Sequence, residues 1–98
     1  MAHFDVHRLA DGTRVVDCQS DMHAYLTTRL VVPLATAEDG PAPINRLNPQ
    51  LTVGEERLVF YADLASAMPV RELGPVIASV ADQEYVVFGA LDMLLNGI

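Results

Sequence analysis

Two histidines and an aspartate near the start of the chain have the spacing of a metal site on a β-strand. His3, Asp5 and His7 occupy every second position, so a strand would project all three side chains from one face. Imidazole and carboxylate groups are common zinc ligands. Phe4 and Val6, however, are apolar, and we expect them to face the core and to leave the polar row on the solvent side without a fourth ligand. The sequence therefore favours an exposed polar row over a metal site.

The other nucleophiles and bases form no pattern that predicts catalysis. Cys18 lies at an expected strand position among apolar neighbours, where cysteine usually behaves as a small buried hydrophobe. His23 has the side chain of a general base, but it is equally suited to solvent or to a partner. The sequence contains no glycine-rich phosphate loop, no HExxH and no CxxC, so the familiar phosphate, dinucleotide and zinc signatures are missing. We expect a protein that is not an enzyme and that has no cofactor.

The charged residues indicate a protein partner rather than nucleic acid. The chain has 13 acidic and 6 basic residues, a net charge of −7, and its cations are all arginines scattered along the sequence. A protein that binds a phosphate backbone needs clustered positive charge. The single cysteine cannot form an internal disulfide, and neither a signal peptide nor an apolar run near the ~20 residues of a membrane span is visible. We expect a cytoplasmic protein that contacts neither nucleic acid nor membrane directly.

The length of the chain predicts a single domain that covers residues 1–98. The elements that position these residues are about five antiparallel strands in the first part of the chain. Asp11-Gly12 and Gly54-Glu55 predict the turns of two hairpins, since glycine supplies the positive φ that tight turns require. The β-branched run Arg29–Leu34 predicts a further strand, and its Pro33 must lie at an edge, an end or a bulge. Residues 37–50 are rich in proline and acidic residues and predict a surface loop.

The last third of the chain changes to helical periodicity. A helical turn is expected at 63–67, and a helix from about Val80 to Asn96, where Ser79 and Asp82 resemble a capping box. One face of this helix follows the spacing of three and four residues and contains Glu84, Val87, Phe88, Leu91, Leu94, Leu95 and Ile98. A second side is also apolar, through Val86, Ala90 and Met93. The simpler interpretation packs the helix deeply against the sheet, and the alternative makes the second side a homodimer surface.

Several segments, taken in chain order, resemble the CcdB family of plasmid- and chromosome-borne toxins. The segments that carry the resemblance are Val16–Asp21, Thr28–Leu34, Leu47–Pro49, Val53–Glu55, Leu64-Ala65 with Met68-Pro69 and Leu73-Gly74, and Ala90–Ile98. The resemblance implies a strongly bent, SH3-barrel-like antiparallel sheet with a small accessory sheet and a C-terminal helix, assembled as a homodimer.

The same resemblance implies a non-enzymatic toxin that binds the A subunit of DNA gyrase and traps the cleaved DNA complex. A small CcdA-like antitoxin, whose disordered tail folds on binding, neutralises such toxins. The family's gyrase contact uses the end of the last helix, where Gly97 and Ile98 match the terminal pair and Asn96 replaces the tryptophan of the gyrase-poisoning archetype. Met22 and His23 occupy the positions of an apolar pair near the same surface, and only Met22 keeps the apolar character.

Two other functions stay open at this point. A non-toxic paralogue that only sequesters antitoxin would explain Asn96, because asparagine cannot supply the burial of an aromatic anchor. An endoribonuclease toxin on the same kind of fold, as in the related MazF and Kid group, would need a basic groove for the scissile phosphate. The scattered arginines and the acidic net charge argue against the endoribonuclease.

Overall fold

A computed structural model describes residues 2–97, which form seven β-strands and one α-helix. The strands are β1 (Asp5–Arg8), β2 (Arg14–Asp17), β3 (Thr28–Ala35), β4 (Gln50–Val53), β5 (Glu56–Phe60), β6 (Ser66–Pro69) and β7 (Val76–Ser79), and the helix is α1 (Glu84–Asn96). All strand pairs are antiparallel, in the order β4-β5-β3-β2-β1-β7, with β6 beside β3. The predicted bent antiparallel sheet with a C-terminal helix is confirmed.

Strand β3 is the centre of the sheet and has two partners along one of its edges. Its first half pairs with β6 and its end pairs with β5, while β2 runs along the opposite edge. Pro33 lies between Val31, the last residue paired with β6, and Leu34, the first residue paired with β5. A residue without a backbone N–H is tolerated at such a change of partner. The sheet curls around β3 into a half-barrel.

Strands β6 and β7 were not anticipated. The expected helical turn at 63–67 is a 3-10 turn at Ala62–Leu64, and Ser66 then begins β6 because it pairs with Val31. Strand β7 pairs with β1 at the other end of the chain. The Gly54-Glu55 turn between β4 and β5 is present as predicted, and residues 36–49 contain no strand or helix.

One hydrophobic cluster holds the sheet and the helix together. Its buried members are Phe4, Val6, Val16, Val32, Leu34, Leu51, Val53, Leu58, Phe60, Ala62, Val80, Val87 and Ala90. Most of them come from strands, three lie between elements or in a 3-10 turn, and α1 contributes only Val87 and Ala90. The expectation that the helix packs deeply is therefore wrong, because most of its apolar side chains lie outside this cluster.

The helix also begins later than expected. A 3-10 turn occupies Ala81–Gln83, and α1 starts at Glu84 without a side-chain cap. Ser79 Oγ accepts a hydrogen bond from the Ala81 backbone N–H at 3.2 Å, so the expected capping box does not form at the start of α1. In the part of the chain that the structure describes, no helix is both long and apolar enough to cross a membrane.

Candidate functional site

The end of α1 is exposed and closes with a left-handed residue. Asn96 is the last helical residue, and its side chain makes no hydrogen bond with any other residue between 2 and 97. Gly97 follows in the left-handed conformation, with φ of 72°, and its N–H donates to the Met93 carbonyl at 3.0 Å. Glycine suits this position because left-handed backbone costs it little. Ile98, the third residue that the resemblance assigns to the contact, lies outside the described residues.

Met22 and His23 lie in a second exposed segment, between β2 and β3. They belong to a short 3-10 turn at Asp21–His23, which starts where Ser20 Oγ accepts the Met22 backbone N–H at 3.2 Å. Met22 is 83% exposed. A thioether with so much surface in water is available to a protein partner, since apolar anchors supply much of the energy of an interface.

Two further large apolar residues of this segment were not predicted from the sequence. Tyr25 is 77% exposed, and Leu26 is also exposed. The Tyr25 ring lies edge-on to the His23 ring, with 6.1 Å between their centroids. Two adjacent large apolar residues in a segment expected to be a loop were a signal in the sequence, because such side chains are usually buried. Together with Met22 and His23 they form a continuous exposed segment of the chain.

A chain of contacts links this segment to the first half of α1. The Asp21 carboxylate accepts the His3 backbone N–H at 2.9 Å, and the His3 ring lies 5.9 Å from the Phe88 ring between centroids. Asn96 is about 12 Å further along the helix from Phe88, at 1.5 Å per residue. No hydrogen bond or ion pair between residues 2 and 97 joins Met22 or His23 to Asn96 or Gly97. The described contacts between the segment and the helix run from Asp21 through His3 to Phe88, in the first half of α1.

The expected solvent-facing row of His3, Asp5 and His7 is wrong at His7. The pairing of β1 with β7 shifts register between Val6 and His7, which breaks the simple alternation of side chains inside β1. His7 is only 2% exposed, and its Nδ1 lies 2.8 Å from the Gly74 carbonyl oxygen. The three side chains do not share one face, and no group of three or more potential metal ligands occurs among residues 2–97.

The Cys18 thiol is unsuited to nucleophilic attack. It lies directly after β2, partly buried against the core, and its Sγ is 3.6 Å from the Val16 carbonyl oxygen. Burial, and secondly the charge of Asp17, raises the pKa of the Cys18 thiol to about 12. The thiol is therefore protonated at neutral pH, whereas a nucleophilic cysteine needs its thiolate.

A surface cleft of about 690 Å³ lies beside the β1–β2 turn, away from both candidate segments. Its lining includes Arg8, Asp11, Arg71, Glu72 and Gly74, and no histidine, cysteine or hydroxyl side chain is among its described lining residues. Its titratable side chains are carboxylates and guanidinium groups, and neither candidate segment contributes to its lining. The exposed segments around Met22 and at the end of α1 are the better candidates for a protein contact.

Comparison with known proteins agrees with this architecture. The family model described as CcdB protein matches residues 3–97. No curated protein sequence gives a significant match. The family match covers all but a few residues of the chain, and the bent sheet with its C-terminal helix fits it. The chain therefore belongs to the CcdB family of toxins from toxin–antitoxin systems.

Proposed function

We propose that this protein inhibits DNA gyrase by binding the gyrase A subunit and trapping the cleaved DNA complex. The observation that carries the proposal is the exposed end of α1, where Asn96 is followed by Gly97 in the left-handed conformation. This is the position at which the family's gyrase contact is expected. Exposed Met22 and Tyr25 add a second apolar contribution to the same partner, as anchors in an interface of protein–protein type.

The proposed action is binding without catalysis. The net charge of −7 disfavours direct contact with DNA, so the protein reaches the DNA only through gyrase. The proposed mechanism is non-enzymatic and needs no cofactor, and the protonated Cys18 thiol is consistent with it. Because gyrase acts on chromosomal DNA, the proposed site of action is the cytoplasm.

Two further partners belong to this proposal. The first is a second copy of the chain, which would cover apolar side chains of α1 that are exposed in the single chain: Tyr85, Val86, Phe88, Leu94 and Leu95. Large exposed apolar surfaces of this kind mark interfaces, and closed two-fold dimers are the commonest oligomers. The second partner is a CcdA-like antitoxin whose disordered tail folds on the toxin surface.

Expression of the chain alone tests the toxic action directly. We expect induction to stop growth and to produce double-strand breaks in chromosomal DNA. A truncated chain without Gly97 and Ile98 is the control, and it should permit growth. Normal growth with full-length protein would contradict the proposal and indicate a paralogue that binds only antitoxin. Growth arrest with RNA cleavage and intact DNA would contradict it in favour of an endoribonuclease.

Asn96→Trp tests the proposed contact residue. Asn96 is exposed at the last position of α1, so the fold has room for the larger ring. A central aromatic anchor contributes about 2 kcal/mol or more, so we expect tighter binding to a gyrase A fragment in calorimetric titration. Asn96→Ala is the control and should bind no better than the native chain. Tight native binding that tryptophan does not improve would show that the contact does not depend on this position.

A further inference from the structure

The exposed segment between β2 and β3 has no side chain buried in the core at its 3-10 turn. Residues 21–27 are all exposed, and the turn at Asp21–His23 contains no buried residue. Within the segment, the His23, Ala24 and Leu26 amides donate to the carbonyls three residues earlier. A segment without buried side chains opens easily unless hydrogen bonds from elsewhere hold it. Its conformation therefore depends on polar contacts at its ends.

The Gln19 side chain makes contacts of this kind at three points. Its Nε2 donates to the His23 carbonyl and to the Thr28 carbonyl, both at 3.1 Å. Its Oε1 accepts the Leu30 backbone N–H at 3.0 Å. Both N–H groups of the amide and its carbonyl are thereby used. One side chain thus connects the middle of the segment to the start of β3.

The Gln19 backbone is in turn fixed to a buried ion pair. Asp17 Oδ2 and Arg29 Nε are 2.8 Å apart, and both side chains are 0% exposed. Asp17 Oδ1 accepts the Gln19 N–H at 3.0 Å, and Arg29 Nη2 donates to the Gln19 carbonyl at 3.1 Å. The Gln19 peptide is therefore held from both sides by groups that belong to the core of the fold.

We propose that Gln19 is a positioning residue that holds the segment from Ser20 to Thr27 in the conformation that presents Met22 and His23. Its backbone is fixed by the buried Asp17–Arg29 pair, and its side chain restricts the conformation of the segment that carries the exposed side chains. A segment that is ordered before binding loses less conformational entropy in the complex, which raises affinity. This inference rests on the proposed function for the identity of the partner, the gyrase A subunit.

The full-length Gln19→Met variant tests the inference, since methionine has a similar length and no amide. Gln83→Met is a matched control. The Gln83 amide also bridges a backbone, at Thr52, with two hydrogen bonds of 2.8 Å, but it lies outside the segment. In Gln19→Met we expect the His23, Ala24 and Leu26 amides to exchange with deuterium at least about tenfold faster, and affinity for a gyrase A fragment to fall about tenfold. In Gln83→Met both quantities should stay at native values.

Each result decides the inference. Unchanged exchange in Gln19→Met would overturn it, and so would faster exchange with native affinity for gyrase A. Equal losses of affinity in the two variants would also overturn it, because they would reflect general stability. If the native chain does not bind gyrase A, the proposed target is wrong. The exchange comparison then decides on its own whether Gln19 holds the segment, because it needs no partner.

Discussion

Arg29 is a cation without solvent contact, and its charge is balanced by one buried carboxylate. Removal of one member of a buried ion pair leaves the other charged and unpaired, at a cost of about 3–5 kcal/mol. We expect Arg29→Met to lower the free energy of unfolding by that amount, because Asp17 is also 0% exposed. Denaturant titration of the purified protein measures the loss.

The matched control for Arg29 is an ion pair on the surface. Arg14 Nη1 and Glu56 Oε1 lie 2.6 Å apart, and the two side chains are 21% and 54% exposed. Exposed pairs contribute less than about 1 kcal/mol, so Arg14→Met should change stability little. Similar losses in the two variants would show that burial does not determine the strength of the Asp17–Arg29 pair.

The pKa of Cys18 predicts both reactivity and pH dependence. Its pKa is raised from 9.0 to about 12, so the unfolded chain loses this proton at a lower pH than the folded chain. The contribution of Cys18 to stability is therefore fully present below pH 9 and decreases between pH 9 and 12. At pH 8 we expect iodoacetamide to alkylate the unfolded protein quickly and the folded protein slowly. Equal alkylation rates would show that the thiol is accessible and its pKa ordinary.

Individual side chains of the candidate site were only partly predictable. Resemblance identified Met22 and His23, and the structure shows both in an exposed turn. The role of Gln19 could not be read from the sequence, because its partners are backbone groups that come together only when β2 and β3 pair. The burial of His7 was equally hidden, since the register shift between Val6 and His7 arises only when β1 pairs with β7.

At the level of elements, Gly89 within α1 and Gly97 at its end are predicted to respond differently to substitution by alanine. Gly97 has φ of 72°, and Gly89 lies within the helix. A Cβ added at either position would lie more than 4 Å from every described atom outside the adjacent residues and the nearby helix backbone. Gly89→Ala should therefore stabilise the protein by about 0.5–1 kcal/mol. Gly97→Ala gains nothing from helix propensity, and left-handed alanine costs roughly 1–2 kcal/mol.

The last turn of α1 can relieve that strain by fraying, so Gly97→Ala should alter the direction of the chain end more than the stability of the fold. We expect a melting temperature near the native value and weaker binding to the gyrase A fragment, measured by calorimetry. Gly89→Ala should raise the melting temperature and keep native affinity. Native affinity in Gly97→Ala would mean that the left-handed conformation of Gly97 is not part of the contact.

The elements that were predicted correctly are those with local signals. Turn residues identified the β4–β5 hairpin, and helical periodicity identified most of α1. Strands β6 and β7 depend on pairing with β3 and β1, far away in the chain, and short segments such as Ser66–Pro69 have no pattern of their own. Apolar residues on both sides of α1 could not distinguish a buried helix from one that awaits a partner, because both need the same residue types.

For the whole molecule, the exposed apolar side chains of α1 predict a dimer. Phe88 and Leu95 are seven residues apart and lie on one face of the helix, and Leu95 is 75% exposed. The native protein should sediment with about twice the chain mass of 10.7 kDa. Leu95→Ser should shift the mass towards that of one chain. The control is Ile44→Ser, at a position that is 54% exposed in the β3–β4 loop, and it should leave the mass unchanged.

The net charge adds a prediction about salt. Each chain carries a net charge of −7, so two chains repel each other as they associate, and added salt screens the repulsion over distances that shrink from about 10 Å at 0.1 M to about 3 Å at 1 M. Dimerisation should therefore strengthen as salt rises, because apolar contacts at α1 are not weakened by screening. Sedimentation at micromolar protein across this range measures the effect. A native chain that stays monomeric throughout, or a dimer that dissociates as salt is added, would show that α1 does not provide an apolar interface between two copies.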